Sequence, residues 1–94
     1  MSEWIEIEKD ERHVKREREK ARQLRHSQYW QRLLQKGLCH YCGGRFPAHE
    51  LTMDHIVPVS RGGRSVKGNV VPCCKECNSR KMYKTPVEMI LERL

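Results

Sequence analysis

Four cysteines in two close pairs are the first residues whose types and spacing can do chemistry. Cys39-x-x-Cys42 and Cys74-x-x-Cys77 each hold two thiols across a two-residue spacer, which turns both toward one tetrahedral ion. Four thiolates close the coordination sphere, so the ion, Zn2+, is structural and leaves no position for a substrate. The 31 residues 43–73 between the pairs exceed what a minimal ribbon uses, as a functional loop inserted between the halves of the site would explain. Cys73 offers a second choice, Cys73-x-x-x-Cys77. Cys74 is preferred, because Val70, Val71 and Cys73 then read as buried small apolar positions. His40 lies inside the first pair. Neighbouring residues rarely face one ion, so His40 is assigned to packing or phosphate contact. Five cysteines do not complete a disulfide framework, and clustered thiols in a reducing compartment bind metal more often than they pair.

Between the pairs stand Asp54-His55-Ile56-Val57-Pro58, then Gly62-Gly63, then Asn69, with Asn78 directly after Cys77. A structural zinc module has no need of an Asp-His pair on a strand, whereas phosphodiester hydrolysis does. That reaction requires an activated water, a charge clamp for a crowded transition state and help for the departing oxyanion. His55 can deprotonate water, because imidazole titrates near neutrality. Asp54 offers a hard oxygen to Mg2+ or Mn2+, and Asn78 can offer its amide oxygen.

Taken in order, Cys39-x-x-Cys42, Asp54-His55-Ile56-Val57-Pro58, Gly62-Gly63, Asn69-Val70-Val71-Pro72 and Cys74-x-x-Cys77-Asn78 resemble the zinc-containing HNH endonuclease family over roughly residues 38–83. The resemblance implies a ββα-metal fold, in which a β-hairpin and a helix straddle the nuclease ion. It implies that His55 is the general base and that Asn69 ties down the loop and so orients His55. It puts Asn78 where the motif's last His usually stands and makes Asp54 the second metal ligand. The triplet here is therefore His-Asn-Asn. A neutral amide is a weaker ligand than imidazole for softer metals, which shifts the catalytic ion toward Mg2+ or Mn2+. The products implied are a 5′ phosphate and a 3′ hydroxyl. His13, His26 and His49 lack such a setting and are assigned no chemistry.

The elements that must position these residues follow from period and punctuation. Arg45 to Ile56 is expected to be strand-rich. Along 51–57 the period is two, so Leu51, Met53, His55 and Val57 share one face and Thr52, Asp54 and Ile56 the other. Asp54 and His55 then approach a phosphate from different directions, unless the strand ends or twists there. Pro58 to Gly68 is a loop, Asn69–Val71 a second strand, and a helix begins near Cys74 and runs to about Tyr83. Thr85-Pro86-Val87-Glu88 is a capping box with Pro at the first helical position. The helix it starts carries Val87, Ile90, Leu91 and Leu94 on one face, expected to pack back on the domain. Upstream, Lys9 to Lys36 contains neither Gly nor Pro and is expected to form one long helix. Trp30, Leu33 and Leu34 dock its second half, its first half projects into solvent, and Gly37 caps it. In residues 1–10, Trp4, Ile5 and Ile7 pack or add an edge strand. The fold expected is α+β: a basic helical extension over 1–37, then a nuclease domain with a C-terminal helix over 38–94, compact as a whole.

Bulk composition agrees with this division. The chain has 94 residues, of which 37% are hydrophobic, so its core is small and needs a staple. Nineteen Lys and Arg against twelve Asp and Glu give a net charge of +7, which favours nucleic acid as partner. Arg12, Lys15, Arg16, Arg18, Lys20, Arg22, Arg25, Arg32 and Lys36 make the long helix basic. Such a helix is either a solvated charged face or lies along a DNA backbone or groove with salt-sensitive, mostly sequence-blind affinity. Arg61, Arg64, Lys67, Arg80, Lys81 and Lys84 stand nearer the chemistry and are expected to hold scissile-strand phosphates. Nothing resembles a base-reading cassette, so sequence preference should be weak. No apolar stretch has membrane-spanning length, and the opening Met-Ser-Glu-Trp-Ile-Glu has no signal-peptide character; the location expected is cytoplasmic. The function expected is metal-dependent cleavage of double-stranded DNA. One ββα-metal site cuts one strand and no dimer seam is evident, so a nicking monomer is favoured. The competing reading is a noncatalytic zinc module that binds nucleic acid or a protein partner on the same fold. Asp54, His55 and Asn78 together speak for the enzyme, because a binding module has no reason to keep all three.

Overall fold

A computed structural model describes residues 11–81 and 86–92. In chain order these form α1 (Glu11–Arg25), α2 (Gln28–Lys36), β1 (Leu51–His55), β2 (Val70–Cys74), α3 (Lys75–Lys81) and α4 (Pro86–Glu92). Single 3-10 turns cover Ala48–Glu50, Val59–Arg61 and Lys67–Asn69. The strands pair antiparallel, with Leu51 opposite Cys74, Met53 opposite Pro72 and His55 opposite Val70. With α3 following β2 directly, β1, β2 and α3 are the ββα unit of an α+β fold. Pro72 cannot donate to a ladder, but a two-stranded sheet has only edges, where proline is tolerated; its carbonyl accepts from His40 N–H at 2.9 Å.

The core is built around cysteine. Cys39, Cys73, Cys74 and Cys77 cluster with Leu51, and Leu34, Tyr41 and Phe46 pack against them. A core with so few large apolar side chains buries little area. The first cysteine pair sits in a knuckle where Cys39 N–H donates to Gly44 O at 3.0 Å and Gly43 N–H to Cys39 O at 2.9 Å.

The helical extension departs from expectation in two ways. It is not one helix: α1 ends at Arg25 and α2 starts at Gln28. Ser27 makes the break. It takes extended backbone angles, its Oγ accepts from Trp30 N–H at 3.2 Å, and its hydroxyl donates to Leu24 O at 2.6 Å. A serine that caps locally competes with helix continuation. Gly37 closes α2 at φ 68°, and a Cβ there would lie 2.9 Å from Phe46 O, so glycine is required on both counts.

Nor does α1 project freely. Glu17 and Ala21 are buried, and the helix packs against the turn at Val59–Arg61. An acidic side chain in a basic run is turned inward, where the loop offers it the Ser65 N–H as a hydrogen-bond donor.

Three further expectations are corrected. Only Leu51–His55 of the segment 45–56 is strand, with an isolated bridge between Leu38 and Arg45. Val71 is half-buried, whereas Val70 and Cys73 are fully buried. The apolar face of α4 does not pack back: Val87, Ile90 and Leu91 are 60–64% exposed, and the helix meets the loop between β1 and β2 through the Arg61–Glu88 ion pair at 2.9 Å. Trp4, Ile5, Ile7, Tyr83, Lys84, Thr85 and Leu94 lie outside the described residues. No helix among the described residues is long and apolar enough to cross a membrane.

Candidate active site and metal centre

Two centres share the ββα unit. At the first, the sulfurs of Cys39, Cys42, Cys74 and Cys77 all lie within 4.8 Å of one another, with Cys42 and Cys74 at 4.0 Å. Four tetrahedral thiolates around zinc need a separation of this order. Burial pushes the Cys39 thiol up, but N–H groups of Cys42, Cys74 and Tyr41 more than offset it and bring its pKa to about 6. Those donors stabilise a thiolate, the form that binds metal. Cys73 stays outside the cluster. It is fully buried, its thiol donates to Cys74 O at 3.3 Å, and burial raises its pKa to about 12. The donor set therefore fits a structural tetrahedral ion, with Cys74 as the ligand and Cys73 as packing. His40 is exposed and stacks edge-on against Tyr41 at 5.1 Å.

At the second centre, β1 ends. Asp54 and His55 line one cavity of about 260 Å3 with Met53, Pro58, Val59, Ser60 and Lys81, and α1 adds Val14 and Arg18. The alternation of the strand does not part the two residues, because β1 stops at His55 and the chain bends there. The loop after it is bound to β2 by Asn69. Its Oδ1 accepts from Val57 N–H at 2.8 Å, and its Nδ2 donates to Val57 O at 3.1 Å and to Arg64 O at 2.9 Å. Ile56 N–H donates to Asn69 O at 2.9 Å. Gly63 must be glycine, since a Cβ there would stand 1.7 Å from Val57 O.

His55 is half-buried, and its Nε2 lies 2.9 Å from Ser65 Oγ. Burial lowers its pKa below the ordinary imidazole value; Asp54 opposes this, Lys81 reinforces it, and Glu17 and Arg25 act in the same two directions more weakly. The imidazole is therefore held neutral near pH 7, as a base must be.

Asp54 is 7% exposed. Its Oδ2 accepts from Tyr41 OH at 2.5 Å and faces Lys81 Nζ at 3.4 Å. Burial first, then Asp54, hold the Tyr41 pKa well above normal, so the phenol stays a donor. Among the described residues nothing donates to Asp54 Oδ1. Two donors fix one oxygen and leave the other for a hard cation, the usual arrangement of a ligand held from behind. Asn78 is exposed on α3, one turn before Lys81, and is not part of the cavity wall. At the cavity itself the side chain able to offer a hard oxygen to such a cation is therefore the Asp54 carboxylate.

Lys81 does not belong with the surface cations. It is fully buried, and its ammonium donates to His55 O at 2.8 Å besides facing Asp54. A buried lysine must be paired, and this one braces His55 and Asp54 at once. Of the other expected phosphate contacts, Arg64 is exposed, Lys67 lies 5.1 Å over the Tyr29 ring, Arg80 pairs with Glu76 at 2.9 Å and Arg61 with Glu88. Such exposed pairs are weak and yield to a phosphate.

Reasoning from the sequence missed Tyr41, Glu17, Ser65 and the placement of Lys81. Cys77 and Lys81 stand at i and i+4, so the cysteine that faces the core takes the lysine with it. Likewise His13, Glu17 and Ala21 stand at i, i+4 and i+8, the inner face of α1.

Known proteins place the chain. It is similar over 65 residues, at 29% identity, to the "Type IV methyl-directed restriction enzyme EcoKMcrA" of Escherichia coli (strain K12), covering 63% of this chain and 24% of that protein. The chain thus spans about a quarter of the length of the curated relative it matches. Residues 39–92 match the sequence model described as HNH endonuclease. This is more than half of the chain and contains both cysteine pairs, Asp54, His55, Asn69 and Asn78, so the chain belongs to the HNH endonuclease family.

Proposed function

We propose that the chain is a divalent-metal-dependent endonuclease that hydrolyses phosphodiester bonds of double-stranded DNA. The observation that carries the reading is the meeting of His55 and Asp54 in one cavity whose rim, at Arg18, opens onto a basic groove. The groove, about 1000 Å3, is lined along α1 by Lys15, Arg18, Arg22 and Arg25, which step by three and four residues and so share one face. Glu19 ties Arg22 at 2.6 Å, an exposed pair of small worth. We take this stripe as the path of the DNA backbone, with Arg18 at the phosphate nearest the cut. Arg61, Arg64, Lys67 and Arg80 border the loop and α3 as secondary contacts, and Lys84 is retained from its position in the sequence.

In the reaction, His55 takes a proton from water as the water oxygen bonds to phosphorus. The bond from phosphorus to the 3′ oxygen breaks with its electron pair, and that oxygen takes a proton from solvent, giving a 3′ hydroxyl and a 5′ phosphate. Asn69 holds the loop so that His55 faces the phosphate. Asp54 and Asn78 would hold Mg2+ or Mn2+, which when bound supplies positive charge for the transition state and the leaving oxygen. Zn2+ at the four cysteines serves the fold only.

One site per chain supports nicking by a monomer, and the backbone groove supports weak sequence preference. Four cysteines gathered for a metal rather than paired as disulfides support a cytoplasmic location. We keep 1–37 as the extension and 38–94 as the nuclease module. The methyl-directed action of the relative belongs to a much longer protein, and we carry over DNA cleavage alone. One observation, Asn78 standing outside the cavity wall, favours the noncatalytic zinc module. Supercoiled plasmid decides between them. Metal-dependent conversion to open circles is expected, and intact plasmid with a folded protein in both Mg2+ and Mn2+ would overturn the enzyme reading.

A further inference from the structure

Ser65 Oγ lies 2.6 Å from the backbone oxygen of Glu17 and 2.9 Å from His55 Nε2. A carbonyl oxygen has no proton to give, so the single hydroxyl proton of Ser65 is committed to Glu17. Ser65 can then only accept from His55, and the imidazole nitrogen facing it must carry hydrogen. In a neutral ring the other nitrogen, Nδ1, is left with the lone pair.

The same serine is clamped from its other side. Its backbone N–H donates to Glu17 Oε1 at 2.6 Å, and Lys20 holds the second carboxylate oxygen at 3.3 Å. One turn earlier, His13 Nε2 lies 2.9 Å from Gly63 O. Glu17 and Ser65 are both buried and stand 48 positions apart. The inner face of α1 thus grips the catalytic loop at residues 63 and 65, directly behind the imidazole.

We propose that Ser65, seated by Glu17 of α1, is a positioning residue that fixes His55 as the Nε2–H tautomer and presents Nδ1 as the proton acceptor. The helix upstream of the nuclease module is then part of the active site rather than only a basic arm. The tautomer follows from the hydrogen-bond geometry alone; its catalytic meaning rests on the reading of His55 as base. Removal of the Ser65 hydroxyl should free the ring to exchange tautomers without touching the cysteine centre or the DNA groove.

The test is long-range proton–nitrogen NMR of the zinc-loaded full chain at mildly alkaline pH, with the His55 signals identified by their loss in His55→Gln. The wild type should show the Nε2–H pattern, Ser65→Ala a mixture of tautomers, and Ser65→Thr, which keeps the hydroxyl, the wild-type pattern. In plasmid cleavage Ser65→Ala should lower kcat about tenfold, part of what a general base contributes, with KM unchanged, and Ser65→Thr should restore it. An Nδ1–H pattern in the wild type would overturn the proposal, as would a Ser65→Ala spectrum identical to wild type. The wild-type spectrum decides the tautomer even if Ser65→Ala fails to fold. If no plasmid is cut but the tautomers behave as stated, the positioning stands and the nuclease reading falls.

Discussion

The cysteine centre and the His55 centre are a few residues apart in the fold yet are held in different ways. Four thiols within 4.8 Å come from two short CxxC turns, so local spacing builds that centre and a single ion closes it. The His55 centre draws on Asn69 for its loop, Tyr41 and Lys81 for Asp54, and Ser65 with Glu17 for the imidazole. No short motif contains that set; long-range hydrogen bonds assemble it. The difference teaches that the first centre should fail all at once, whereas the second should fail by degrees and without loss of the fold.

The largest break is at the thiols. Cys74→Ser should abolish zinc binding and cooperative melting, because structural zinc contributes about 10–16 kcal/mol to a domain whose net stability is about 5–15 kcal/mol. Cys73→Ser, outside the cluster, should retain stoichiometric zinc by metal analysis. The reverse result would exchange the two ligands.

Next is His55→Ala. It should lower plasmid cutting about 100- to 10,000-fold, with zinc content and DNA binding kept. Asn69→Ala removes three hydrogen bonds that tie residues 57 and 64 to β2. It should cost about 1–3 kcal/mol on thermal melting and lower cutting while zinc stays bound. Loss of zinc in that variant would show that the centres are not separate.

Smaller still, Arg18→Glu should weaken DNA binding and flatten its salt dependence by about one unit of slope per lost phosphate contact. Arg80→Glu, facing its own Glu76, should do less.

The smallest effect is at Glu17. Its pKa is lowered chiefly by the Ser65 N–H, against burial and with help from Lys20. A depressed carboxyl stabilises the fold above its unfolded pKa and loses that contribution as pH falls through the folded value. Glu17→Gln should therefore melt lower than wild type by about 1–2 kcal/mol at neutral pH. The gap should close below the ordinary carboxylate range, and a gap unchanged there would remove the ionised Glu17 from the clamp.

What the sequence made legible divides along the same line. The four cysteine ligands were legible in the CxxC spacing, Cys74 over Cys73 in spacing together with the buried apolar run before it, and the ββα unit in the motif order that resembles the HNH family. The break at Ser27 was hidden, since no Gly or Pro marks it and only the cap geometry makes it. Lys81 was placed among the phosphate contacts because a lysine in a basic stretch is ordinarily exposed. Its burial depends on Asp54, 27 positions earlier, and on a carbonyl that no pattern displays. Glu17 and Ser65 are individually ordinary residues; only the packing of α1 on the loop joins them to His55. The open face of α4, with Ile90 and Leu91 exposed, shows the limit of reading an apolar stripe as a packed one.

The central claim is a division of labour, with zinc holding the fold and His55 serving a second ion's chemistry. Zinc-loaded wild type and His55→Ala, incubated with supercoiled plasmid with and without added Mg2+ or Mn2+, and with bound zinc assayed after each reaction, test it most directly. The account predicts open circles from the wild type only when the second ion is added, none from His55→Ala, and one zinc retained per chain throughout. Equal cutting by the two proteins, or cutting that needs no ion beyond the bound zinc, would contradict it.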